Sequence, residues 1–288
     1  MTFTNPFHAR YGRDDIPLPE QQPNSFTKTL LARTSCRNFF PTALPNGTLE
    51  LLVAAAQSAP TSGMLQTWSV ISLNAEDRKT LLSSPECRNI IGGVDTANFT
   101  AIQTCSIFLI WLADLNRTNF ILQNTNAPPE TKLQVNKAEF NLKAVVDASI
   151  AAQTLFMTAE SMGLGATYMG AIRQLPTTFL QDTFNLPKYT FPLFGMAIGY
   201  PAMRILSSLP AERVEKPKPR LSQDFILHHS TYKPMSSLKE LTDYNTVHQQ
   251  ISRRGVSTFE SRVVERLDPS ESKQQTGEFL KQMGFGFE

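Results

Sequence analysis

The segment from Phe140 to Met162 constrains the fold of this chain more than any other. It contains VVDASIAAQTLFMTAESM, a helix-forming run rich in Ala, Val, Leu and Ser and free of proline and glycine until Gly163. Small residues over so many turns let neighbouring backbones approach on several sides, so this helix belongs at the centre of a fold. Gly163-Leu164-Gly165 terminates it.

Strand patterns lie around it. Thr67 to Leu73 alternates in polarity, and Ala166 to Met169 reads as a short strand. The runs SIFLIWLA (106–113) and FPLFGMAIGY (191–200) are apolar on both faces, as strands covered by helices are. Helices are expected from Phe26, over 49–56 with Gly47-Thr48 as N-cap, over 76–82, from Pro176 through Phe184, and near 238–254 and 259–267, with a further strand at 225–227. Helices and strands therefore alternate as in α/β or α+β folds, without internal repeat. Residues 1–25 carry several prolines without periodicity and read as an extended arm or a partly disordered leader, while 116–137, with NTNAPPETK, is the most loop-like internal region and reads as an insertion or lid.

A chain of 288 residues, 41% hydrophobic and 18% charged, suits one large domain or two modest ones. Its formal charge of +2 and lack of long Lys/Arg runs argue against a nucleic-acid partner. No apolar run reaches the length of a membrane span, and the first residues lack the apolar core of a signal peptide. Cys36, Cys87 and Cys105 form no CxxC pair, which fits a reduced, cytoplasmic setting. No HExxH, GxSxG, phosphate-loop or intact GxGxxG pattern occurs, and the four histidines show no convergence on a metal. Neither metal chemistry nor nucleophilic hydrolysis is expected.

Three polar places remain. Arg33-Thr34-Ser35-Cys36-Arg37 sets two guanidiniums and two hydroxyls beside apolar residues, which suits a phosphate monoester; a surface ion pair or an N-cap at Ser35 is the competing reading. The loop Thr61-Ser62-Gly63-Met64-Leu65-Gln66 and the turn Tyr168-Met169-Gly170-Ala171 offer groups that can read the edge of a planar heterocycle. Lys218-Pro219-Arg220 offers further cations for a phosphate clamp.

In order, these motifs resemble the nitroreductase superfamily, specifically its NADPH-dependent, oxygen-insensitive major nitroreductase and flavin reductase branch. RTSCR ahead of Phe39, AAAQSAPTSGMLQTW, VVDASIAAQTLFMTAESMGLGATYMGAIR, FPLFGMAIGYP and KPRLSQDFILHHSTY carry the resemblance, which spans residue 28 to the C-terminus. It implies an α+β fold with a mixed central sheet flanked by helices, and an intertwined homodimer. It divides the chain into an arm (1–25), an FMN-binding domain (26–220) and a C-terminal helical excursion (221–288) that completes the pocket and dimer. Carried over, it assigns the FMN phosphate and ribityl chain to Arg33, Thr34, Ser35, Arg37, Lys218 and Arg220. Thr61, Ser62 and Gln66 would approach the ring and ribityl hydroxyls, and Tyr168, Met169, Gly170 and Ala171 would line the ring. Met64, Arg173, Arg253 and Arg254 are candidates for substrate or the phosphates of NADPH or NADH.

The implied activity is reduction of nitroaromatics, quinones or free flavin by ping-pong hydride transfer. A flavoenzyme of dehalogenating or desaturating chemistry, or a flavin-binding protein without turnover, would share the same cofactor residues.

Overall fold

The computed structural model describes residues 5–93, 96–202, 217–251, 258–267 and 275–286. The chain groups into two compact units, Met1–Thr34 with Glu212–Ser272, and Ser35–Ala211 with Lys273–Glu288. The division between Thr34 and Ser35 falls within the RTSCR motif.

The first unit opens with α1 (Pro6–Tyr11) and α2 (Ser25–Ala32). The expected extended arm is thus corrected: part of it is helical, for local reasons. Asn5 caps the helix by accepting from Phe7 N (2.9 Å), Pro6 pre-sets the first turn, and Gly12 ends it at φ 67°. A side chain on Gly12 would strike Val247 in the helix Thr242–Ile251, so glycine is required on steric grounds as well. The strand expected at 225–227 is a 3-10 turn, Gln223–Phe225, followed by Ile226 and Leu227 bonded back to the Gln223 carbonyl. Asn245 Oδ1 accepts from Phe259 N (2.7 Å), joining that helix to the next, Phe259–Leu267.

In the second unit, α3 (Thr48–Gln57) precedes β1 (Trp68–Leu73). Helices α4 (Ala75–Ser83), α5 (Pro85–Ile91) and α6 (Ala97–Thr104) lead to β2 (Ile107–Asp114). Then come α7 (Asn116–Gln123), α8 (Pro129–Lys132) and the long α9 (Ala138–Ser161). Strand β3 (Gly165–Met169), α10 (Thr177–Phe184), β4 (Thr190–Gly199) and a C-terminal helix, Gln275–Gln282, complete the unit. The 116–137 segment, read as loop-like, carries two short helices and a 3-10 turn.

The sheet runs β1-β2-β4-β3. A mixed sheet was expected; among the described residues every strand pairing is antiparallel. Tyr168 of β3 stacks on Phe156 of α9 at 5.2 Å, so α9 covers the face that also carries its cross-strand neighbours Met196 and Leu109. The opposite face, with Phe108, Ile110 and Leu112, packs with Leu81, Ile102, Ile172 and Phe279. Both faces of β2 are therefore buried, which explains its unbroken apolar sequence. The C-terminal helix returns to this core: Phe279 meets Phe191 at 5.1 Å, and Tyr189 N donates to Met283 O at 2.7 Å.

Candidate functional site

The loop from Thr61 to Thr67 is built on one carboxylate. Asp147, buried in α9, accepts from Thr61 Oγ1, from Ser62 N (2.9 Å) and from Thr67 Oγ1 (2.9 Å) and N (3.4 Å). Thr61 Oγ1 accepts in turn from Gln66 N (2.9 Å). Burial pushes the Asp147 carboxyl up, but the bonds from Thr61, Ser62 and Thr67 together outweigh it and hold it below the usual range.

That carboxylate supports an unfavourable backbone. Met64 and Gln66 adopt left-handed φ values of 57° and 52°, each costing about 1 kcal/mol or more for a residue with a side chain. A second brace comes from α7, where Arg117 donates to Gln66 O (2.7 Å) and Trp68 O (3.2 Å). The loop so held presents Met64, 80% exposed, to its surroundings. The Thr61 hydroxyl and the Ser62 amide are already engaged with Asp147, whereas the Gln66 side chain is exposed on the surface of the loop.

Along the same helix, Ser149 and Gln153 border a cleft of about 370 Å3 with Tyr168, Gly170, Arg173 and Phe194. Tyr168 donates its hydroxyl to Gln153 Oε1 (3.1 Å) and meets Phe194 edge-on at 5.0 Å. Tyr168, Gly170 and Arg173 are thus brought together. Met169 is buried in the core and Ala171 packs against it, leaving mainly their backbones for a ligand.

Arg173 has a structural partner. Pro192 lacks an amide hydrogen and the β2/β4 register shifts beside it, between Trp111 and Leu112. Leu193, the extra residue in β4, accepts from Arg173 Nη1. Burial lowers the Arg173 pKa.

The RTSCR motif divides. Cys36 N donates to Ala166 O (3.0 Å), which lays Ser35-Cys36-Arg37 along the free edge of β3. Gly165 permits this approach, since an added Cβ would lie 2.7 Å from the Cys36 Cβ. In the other unit, Arg33, Lys218 and Arg220 converge on Arg10, which donates to the carbonyls of Leu31, Arg33 and Lys218 and accepts at its own carbonyl from Arg220 N. Arg253 and Arg254 lie outside the described residues.

Sequence reading missed Asp147, Arg117, Gln153 and Arg10. Asp147 had a signal, as the lone acid in VVDASIAA; Arg10 had none, because its partners lie 21 to 210 positions away. Among the described residues no cluster of three metal-ligating side chains occurs, and no helix is long and apolar enough to cross a membrane.

By its architecture, the chain is an α+β protein with a small antiparallel sheet enclosed by helices. It belongs to the nitroreductase family: the Nitroreductase family pattern matches residues 30–200, and the Nitroreductase family C-terminal domain matches 218–288. It is 33% identical over 210 residues to a Bacillus subtilis protein named FMN reductase (NAD(P)H), covering 73% of this chain and 75% of that one. It is 30% identical over 244 residues to a Pseudomonas protein named Cr(VI) reductase, covering 83% and 90%. Nitroreductase A from Vibrio parahaemolyticus superposes with a TM-score of 0.74 at 26% identity, over 92% of this chain and 99% of that one. NfrA1 from B. megaterium gives 0.75 at 29%, over 91% and 99%.

Proposed function

We infer that this chain is an FMN-dependent NAD(P)H oxidoreductase that reduces nitroaromatics, quinones or free flavin and acts as a homodimer. The observation that carries this is the pair of family matches, spanning 30–200 and 218–288, together with the likeness to the B. subtilis FMN reductase.

The residues present fit FMN chemically. Guanidinium and ammonium groups match a phosphate dianion, and an aromatic wall with amide and hydroxyl neighbours matches a polar-edged planar ring. By the family resemblance, Arg33, Thr34, Ser35, Arg37, Lys218 and Arg220 are assigned to the phosphate and ribityl chain. Gln66 and the backbone of Gly170 and Ala171 are assigned to the ring edge. Tyr168 and Phe194 supply an apolar surface that excludes water from one side of it.

When bound, FMN supplies hydride chemistry at its N5. The protein's task is then orientation: the braced Thr61–Gln66 loop keeps Gln66 and Met64 at fixed positions, and Arg173 provides a cation in the cleft for the anionic part of a donor or acceptor. Arg253 and Arg254 are further candidates for the dinucleotide phosphates. Donor and acceptor taking turns over one surface gives ping-pong kinetics.

Self-association is supported by a bare apolar stripe. Leu142, Val146 and Ile150 recur at four-residue spacing on α9 with exposures of 54, 48 and 38%, and Leu51 of the neighbouring α3 is 55% exposed.

The test is the visible spectrum of the purified protein, followed by NADPH and, separately, NADH without oxygen. A flavin spectrum that bleaches with either donor is expected. A flavin that stays oxidised would indicate a binding protein without turnover, and a colourless protein that FMN cannot reconstitute would overturn the assignment.

A further inference from the structure

We propose that the N-terminal segment, through Arg10, builds the phosphate end of the cofactor site, with Arg10 as a positioning residue that holds Arg33 and the Lys218–Arg220 segment together and adds its charge to theirs. The proposal rests on the FMN reading above, and concerns residues that precede the matched family regions, which begin at residue 30.

Arg10 stands in the last turn of α1. Its Nε and Nη2 donate to Leu31 O (3.0 and 2.5 Å), Nη2 also to Arg33 O (2.8 Å), and Nη1 to Lys218 O (3.3 Å). Its own carbonyl accepts from Arg220 N at 3.0 Å. One side chain and one peptide group thereby fix the backbones of both cationic segments. The helix bearing it is locked in place by Gly12 against Val247 and Pro219, and by Arg13, which bonds Asp243 at 2.7 Å.

Among the described residues no carboxylate pairs with Arg10. Burial, then the charges of Arg220 and Arg33, push its pKa down to about 10. The carbonyl bonds hold the Arg10 guanidinium beside the backbones of these cationic segments, within the influence of the Arg220 and Arg33 charges, and a phosphate dianion is the ligand chemistry that matches positive charge gathered in this way. Because the guanidinium is turned towards carbonyls, Arg10 acts through its neighbours. Lysine would keep the charge but not the planar fork that spans three carbonyls.

The test compares FMN with riboflavin, which lacks the phosphate. Apoprotein of wild type, Arg10→Gln and Arg10→Lys is titrated with each flavin by fluorescence quenching. Wild type should prefer FMN; Arg10→Gln should lose about tenfold or more in FMN affinity with riboflavin affinity unchanged, and Arg10→Lys should fall between. An unchanged FMN-to-riboflavin ratio, or an equal loss for both flavins, overturns the proposal, the second because Arg10 would then only hold the fold. If Arg10→Gln does not fold, the ratio in Arg10→Lys decides in the same way. A wild type that binds both flavins equally would instead overturn the assignment of these cations to the FMN phosphate.

Discussion

Asp147 accepts four hydrogen bonds from the Thr61–Thr67 loop while sitting among small apolar residues of α9. An amide cannot serve all four donors, so Asp147→Asn should leave buried donors unmatched and lower unfolding free energy by about 2–3 kcal/mol at neutral pH. The pH dependence has a defined sign. The folded pKa lies below its ordinary value, so the carboxylate's stabilisation is fully present above about pH 4 and is lost as pH falls through the folded pKa. Urea unfolding of wild type and Asp147→Asn between about pH 6 and pH 2 should therefore show the difference shrinking on acidification. A difference constant over that range would mean that the loop does not depend on the ionised carboxylate.

At the scale of elements, the edge of β3 depends on the absence of a side chain at Gly165. A Cβ there lies 2.7 Å from the Cys36 Cβ and 2.9 Å from its sulfur. Gly165→Val should cost about 1–3 kcal/mol by overpacking and loosen the Cys36 N to Ala166 O bond; adding Cys36→Gly should recover part of that loss in thermal unfolding. Additive losses would refute the contact. The four strands and α9 were legible in the sequence because burial on two faces, alternation and a glycine stop are local patterns. Other elements were not. Helix α1 was masked by surrounding prolines, although Asn5-Pro6 and Gly12 carry its caps. The apolar trio 225–227 looked like a strand, yet among the described residues no strand pairs with it, and the chain closes a turn on Gln223 O. In 116–137 the prolines of NTNAPPETK suggested a loop, and the short helices form on either side of them.

For the whole molecule, the α9 stripe sets the expectation. If Leu142, Val146, Ile150 and Leu51 are buried between two copies, Val146→Asp should shift the protein towards monomer in sedimentation equilibrium by placing a charge in an apolar contact. A wild type that sediments as a monomer would refute the dimer. The sequence by itself determined the main helices and strands, the core of the sheet and the order of motifs that marks the family, because hydrophobic periodicity and turn chemistry act between near neighbours. Tertiary structure alone decided that Arg10 joins Arg33 to Lys218 and Arg220, that Asp147 and Arg117 brace one loop from two helices, and that Arg173 serves the bulge at Leu193. Those contacts are set by distance in space between residues 20 to more than 200 positions apart, and local pattern carries no record of such distances.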